Sequence, residues 1–154
     1  MPYFTAQSTT TTALGNGSGI LSIVPAAAAN FHLVGVVLGV TNAGGAINDF
    51  DVSVGLNRAT VRGAAPAAVT INRSDPNSAA PNILVDSSAT GLPTLAASDG
   101  WLWSFNSRGG LALNFNLWDI VSTVGTANPL VFVQRSGAAL PAAHAITITV
   151  EWLE

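Results

Sequence analysis

The segment that most narrows the fold lies at the C-terminal end. In Ala145-Ile146-Thr147-Ile148-Thr149-Val150-Glu151-Trp152, the side chains of Ile146, Ile148, Val150 and Trp152 fall on one side and those of Ala145, Thr147, Thr149 and Glu151 on the other. That period of two describes a strand with one face in a core and one in water. A single strand leaves its backbone groups unpaired, so the rest of the chain must supply a sheet.

The same period returns elsewhere. Phe50, Val52, Val54 and Leu56 alternate with Asp51, Ser53, Gly55 and Asn57. Trp101, Trp103 and Phe105 alternate with Leu102, Ser104 and Asn106, which places those rings in a core or an interface. Leu111 to Phe115 and Leu130 to Arg135 are further strands, and brief ones are expected at Ala68 to Asn72 and Asn82 to Val85. Phe31 to Val40 is apolar on both faces, as in a central strand or one with a second face at an interface; Gly35 and Gly39 count to the same side as Phe31. Turn chemistry separates these runs at Gly15-Asn16-Gly17-Ser18-Gly19, Asn42-Ala43-Gly44-Gly45, Ser74-Asp75-Pro76-Asn77, Ser98-Asp99-Gly100 and Ser107-Arg108-Gly109-Gly110. No segment offers a capped amphipathic helix of ten residues, and residues 63–100 form the loop-rich part. Eight to ten short strands with frequent turns predict an all-β protein, an antiparallel β-sandwich of jelly-roll or related type. The threonine-rich opening predicts an extended N-terminal arm over residues 1–13, which adds to a neighbouring subunit's sheet edge, followed by one sandwich domain over residues 14–154.

Charge narrows the function. Of 154 residues, five are basic, all of them arginine, eight are acidic, and 49% are hydrophobic. Soluble domains use about 25% charged residues, and charge is most depleted where one protein is buried against another. A monomer of this size exposes roughly 7,000 Å², a surface that so few charges protect poorly from self-association. The chain therefore reads as part of an oligomer or larger assembly. Five scattered arginines and a net charge of -3 make no basic stripe for nucleic acid. Mean hydropathy is +0.45, but the longest aliphatic-rich run has ten residues where a membrane helix needs about twenty. Met1-Pro2-Tyr3-Phe4 lacks a basic segment ahead of an apolar one, so no Sec-type signal is expected and the protein reads as assembled in the cytoplasm.

Catalytic chemistry is sparse. There is no cysteine, and the two histidines, His32 and His144, fall in an apolar strand and at the start of the last strand. Asn48-Asp49-Phe50-Asp51 lacks the glycine and distal glutamate of a calcium loop, and reads as turn capping by Asp49 beside a solvated Asp51. Gly15 to Gly19 lacks the lysine and helix of a phosphate loop. No enzyme activity, metal or cofactor is expected.

In the C-terminal part, Gly100-Trp101-Leu102-Trp103-Ser104-Phe105, then Arg108-Gly109-Gly110-Leu111, then Leu130-Val131-Phe132-Val133, then Ala145 to Glu154 resemble the closing strands of tailed-bacteriophage head-decoration proteins, also called capsid-stabilising or cement proteins. The resemblance covers roughly the last 55 residues. It implies a sandwich or jelly roll, often trimeric, on the outer capsid surface of the virion, clamping capsomers of the phage major capsid protein against internal pressure. It also implies that the N-terminal arm contacts the shell or an adjacent copy, making Tyr3, Phe4, Thr5, Thr9, Thr10 and Thr11 the candidate contacts. Two other readings stay open: a capsid subunit or tail component of jelly-roll type, and a carbohydrate- or receptor-binding module of a phage tail or fibre that uses exposed tryptophans.

Overall fold

The structure, a computed structural model, describes residues 2–25, 31–61, 67–87, 92–116, 121–122 and 129–154. Among these residues there are eleven strands and no helix: β1 (Tyr3–Thr9), β2 (Gly19–Pro25), β3 (Phe31–Asn42), β4 (Asp51–Val61), β5 (Ile71–Arg73), β6 (Ile83–Ser87), β7 (Thr94–Asn106), β8 (Leu111–Asn114), β9 (Val121–Ser122), β10 (Leu130–Gln134) and β11 (His144–Leu153). They form two antiparallel sheets, as in a β-sandwich. Sheet A runs β5-β1-β11-β3-β8, with β9 also paired to β3; sheet B runs β6-β2-β10-β4-β7.

The alternation read at the C-terminus sets the core. Ile146, Ile148, Val150 and Trp152 are buried, and across the ladders Val40, Leu38, Val36, Leu33, Ala6 and Phe4 lie opposite members of that set and point the same way. Sheet B answers with Leu21, Ile23, Val52, Val54, Leu56, Leu130 and Phe132 in one continuous cluster. Trp152 lies at its heart. Its ring stacks on Phe4 at 5.7 Å, tilts against Phe31 at 6.3 Å, and its indole N–H donates to Glu154 Oε1 at 3.1 Å.

Two expectations change. Residues 3–9 do not stand away as an arm. They form β1, hydrogen-bonded within the chain to β11 along their length and to β5 at Phe4 to Ala6. Phe4 and Ala6 gain full burial by docking there, which an arm left in water would forgo. Gly35 and Gly39 lie on the opposite side from Phe31, because a bulge against Glu151 and Trp152 inserts one residue into β3 after Leu33 and reverses the count. Of the three rings expected in a core or an interface, Phe105 is buried, Trp103 half-buried and Trp101 44% exposed, so the core takes the first two and not Trp101. β7 is the margin of sheet B, and the facing margin of sheet A ends at Phe115, whose ring meets Trp103 at 5.9 Å.

One end of the sandwich is laced by polar contacts. Ser107 Oγ donates to Asn48 O at 2.6 Å and accepts from the Phe50 N–H at 3.1 Å, and Asn106 Nδ2 donates to Asp49 Oδ1 at 2.6 Å. Asp49 thus anchors a neighbouring hairpin, while Asp51 is exposed at the start of β4.

Candidate functional site

The outer face of sheet A is the candidate contact surface. Residues directly opposite in an antiparallel ladder share a face, so the register assembles it in rows. Gln7, Thr149, Val37 and Ala112 form one row across β1, β11, β3 and β8, and Thr5, Glu151, Gly35 and Asn114 form the next. Thr9, Thr147 and Gly39 make a third. In these three rows Glu151 is the one charged side chain.

Glycine flattens the surface. A Cβ on Gly35 would stand 2.7 Å from Glu151 Oε2, and one on Gly39 would stand 2.9 Å from Thr147 Oγ1. With hydrogen there instead, both side chains lie over β3. Burial, and then the Glu151 carboxylate nearby as acceptor and charge, push the Tyr3 phenol up to about 12. The one charged side chain of these three rows therefore lies down onto the sheet over Gly35, and Val37, 48% exposed, stands near their centre.

The six predicted contact residues divide. Tyr3 and Thr5 are half-buried and Thr9 is exposed, all on this outer face by register, and Thr11 is exposed in the following turn. Phe4 is fully buried in the core, pointing inward like every second residue of β1. Thr10 is also buried: its Oγ1 accepts from the Ile146 N–H at 3.0 Å and donates to Thr11 O at 2.9 Å. Phe4 and Thr10 are therefore corrected from contact residues to structural ones. Sequence reasoning missed Gln7, Val37 and Thr149 as members of the face, because only the register places them beside Thr5 and Thr9.

Both histidines are buried. His144 is buried, its Nε2 accepts from the Asn48 N–H at 3.1 Å, its Nδ1 faces Ala142 O at 2.9 Å, and its ring meets Phe50 edge-on at 5.2 Å. Both ring nitrogens are thus engaged by backbone. His32 is buried in β3. No three of His, Asp and Glu gather as a metal site among the described residues, and no helix there is long and apolar enough to cross a membrane. The three described tryptophans do not share one stacking platform: Trp152 is core, Trp103 packs inward and Trp101 is exposed at the sheet margin; Trp118 lies outside the described residues. Compared with family models and with curated proteins, the chain matches none.

Proposed function

We propose that this chain is a structural virion protein, not an enzyme, which decorates and stabilises a phage capsid by binding as a homotrimer between capsomers of the major capsid protein on the outer shell. The observation that carries the reading is the outer face of sheet A, flattened by Gly35 and Gly39 and bearing one carboxylate, laid down over Gly35, across three rows. A surface with one charged side chain in three rows and an exposed valine near its centre is suited to burial against another protein. In this reading β1 contributes its outward side chains Tyr3, Thr5 and Thr9 to the contact, in place of a swapped arm.

A jelly-roll winding is part of the proposal, and the strand pairs support it. Rolling up one long hairpin of eight strands pairs first with eighth, second with seventh, third with sixth and fourth with fifth, with successive pairs alternating between sheets. With β5 and β6 set aside as additions between β4 and β7, and β9 as a short addition to β3, the pairs β1·β11, β2·β10, β3·β8 and β4·β7 follow that rule. Jelly rolls recur in viral capsid proteins and in lectins, so the winding agrees with a shell role without deciding it.

Light scattering on the purified protein, alone and mixed with heads built from its cognate major capsid protein, tests the proposal. The expected result is a trimer of the 15.6 kDa chain that associates with heads. A monomer that leaves heads unbound would overturn it.

A further inference from the structure

The outer face of sheet B is not flat. A groove of about 490 Å³ lies over the paired strands β4 and β7, lined by Gly55, Asn57, Gly100, Trp101, Leu102 and Arg135. It opens on the other side of the sandwich from the proposed shell contact, so it stands independently of that reading.

Its floor is built by register. Gly55 lies opposite Leu102, and Asn57 lies opposite Gly100. A Cβ on Gly55 would stand 3.1 Å from Asn57 Oδ1 and 3.3 Å from Arg135 Cγ, and one on Gly100 would collide with Asn57 Nδ2. The two glycines thus let the Asn57 amide and the Arg135 stem lie down along the sheet. Arg135 is fixed at its backbone, where its N–H donates to Ser53 O at 2.7 Å. Its guanidinium has no hydrogen-bonded or ionic partner among the described residues, whereas Arg73 donates to Ser78 O and Arg108 to Ile47 O. The facing pair Ser53 and Ser104 joins hydroxyls at 2.7 Å farther along the same face, and Leu102, 65% exposed, gives the groove an aliphatic wall.

We propose that this groove binds an acidic sugar, with its carboxylate on the Arg135 guanidinium, its ring over the floor at Gly55 and Gly100 and a C–H face against Leu102. The guanidinium fork matches a carboxylate with two parallel hydrogen bonds, and the volume falls within the about 300–1,000 Å³ of small-molecule sites. A peptide strand fits less well. The backbones of β4 and β7 beneath the groove pair with each other from Asp51–Asn106 to Asn57–Gly100, so recognition falls to side chains, led by the Arg135 guanidinium for a carboxylate and the Leu102 wall for a C–H face.

Amide-resolved NMR titration of the whole chain with methyl glucuronide and with N-acetylneuraminic acid tests this, with methyl glucoside and an acidic tetrapeptide as comparisons. Shifts at Gly55, Gly100 and Arg135 are expected with an acidic sugar. Arg135→Gln should weaken that binding about tenfold or more without changing the melting temperature. No shift at those residues with either acidic sugar, equal affinity for the neutral glucoside, undiminished binding by Arg135→Gln, or tighter binding of the peptide would each overturn the proposal.

Discussion

Replacing Trp152 by alanine removes the largest side chain in the core at a position with no solvent exposure. Truncation of a buried Phe or Trp costs about 3–5 kcal/mol, from lost transfer energy and the cavity left behind. Here the upper half of that range applies. The ring also loses its contacts with Phe4 and Phe31, each worth about 0.5–1.5 kcal/mol beyond area burial, and Glu154 loses the indole N–H. Since a domain's total stability is about 5–15 kcal/mol, the variant sits near the limit of folding. Urea denaturation followed by circular dichroism reads the effect: with a slope of about 2 kcal/mol per molar, the midpoint falls by about 2 M. Trp101→Ala is the matched control, because Trp101 is 44% exposed at the sheet margin and its loss should cost less than about 1 kcal/mol. Equal costs for the two, or a larger one at Trp101, would refute the placement of Trp152 as the centre of packing.

Three other outcomes follow from local geometry. The folded Tyr3 phenol is pushed up to about 12 from the usual 10, chiefly by burial and then by Glu151, so its stabilising contribution is intact below about pH 10 and is lost as pH rises toward 12; Tyr3→Phe should flatten that alkaline slope in chemical denaturation, and an unchanged slope would contradict the raised ionisation. His144→Ala leaves the Asn48 N–H without its acceptor and removes the Phe50 contact, which should cost about 2–3 kcal/mol by urea titration; a cost below about 0.5 kcal/mol would show that the ring does not latch the loop. Gly110 has φ 66° and faces Leu38 O, 2.9 Å from where a Cβ would stand, so Gly110→Ala should lower stability by about 1–2 kcal/mol in thermal melts, and no loss would mean that the turn is built differently.

Legibility in the sequence followed exposure to water. β11 and β4 have one wet face along much of their length, so their apolar residues alternate and the strands are read directly. β2 escaped notice because Ile20, Leu21, Ser22, Ile23 and Val24 are all buried, and a strand covered on both faces has no period of two to read. Its neighbour β10 explains the cover: Val131 and Val133 point to the outer side of sheet B and still bury with Ala59 against Leu95. The first half of β7 hid in a Pro, Ala and Ser-rich stretch, where Leu95 alone reports the packing. The flat face and the groove were harder still. Glu151 meets Gly35, and Asn57 meets Gly100, only through ladders between segments far apart in the chain, and the bulge in β3 reverses the side on which Gly35 falls.

If another protein covers sheet A's outer face, a charge placed in its middle should block the contact. Val37→Arg puts a guanidinium at a half-exposed position flanked by Thr149 and Ala112, where it disturbs no core contact. Co-sedimentation with heads of the cognate major capsid protein should pellet the wild-type chain and leave Val37→Arg in the supernatant, at an unchanged melting temperature. Equal pelleting of both, or pelleting of neither, would contradict the account.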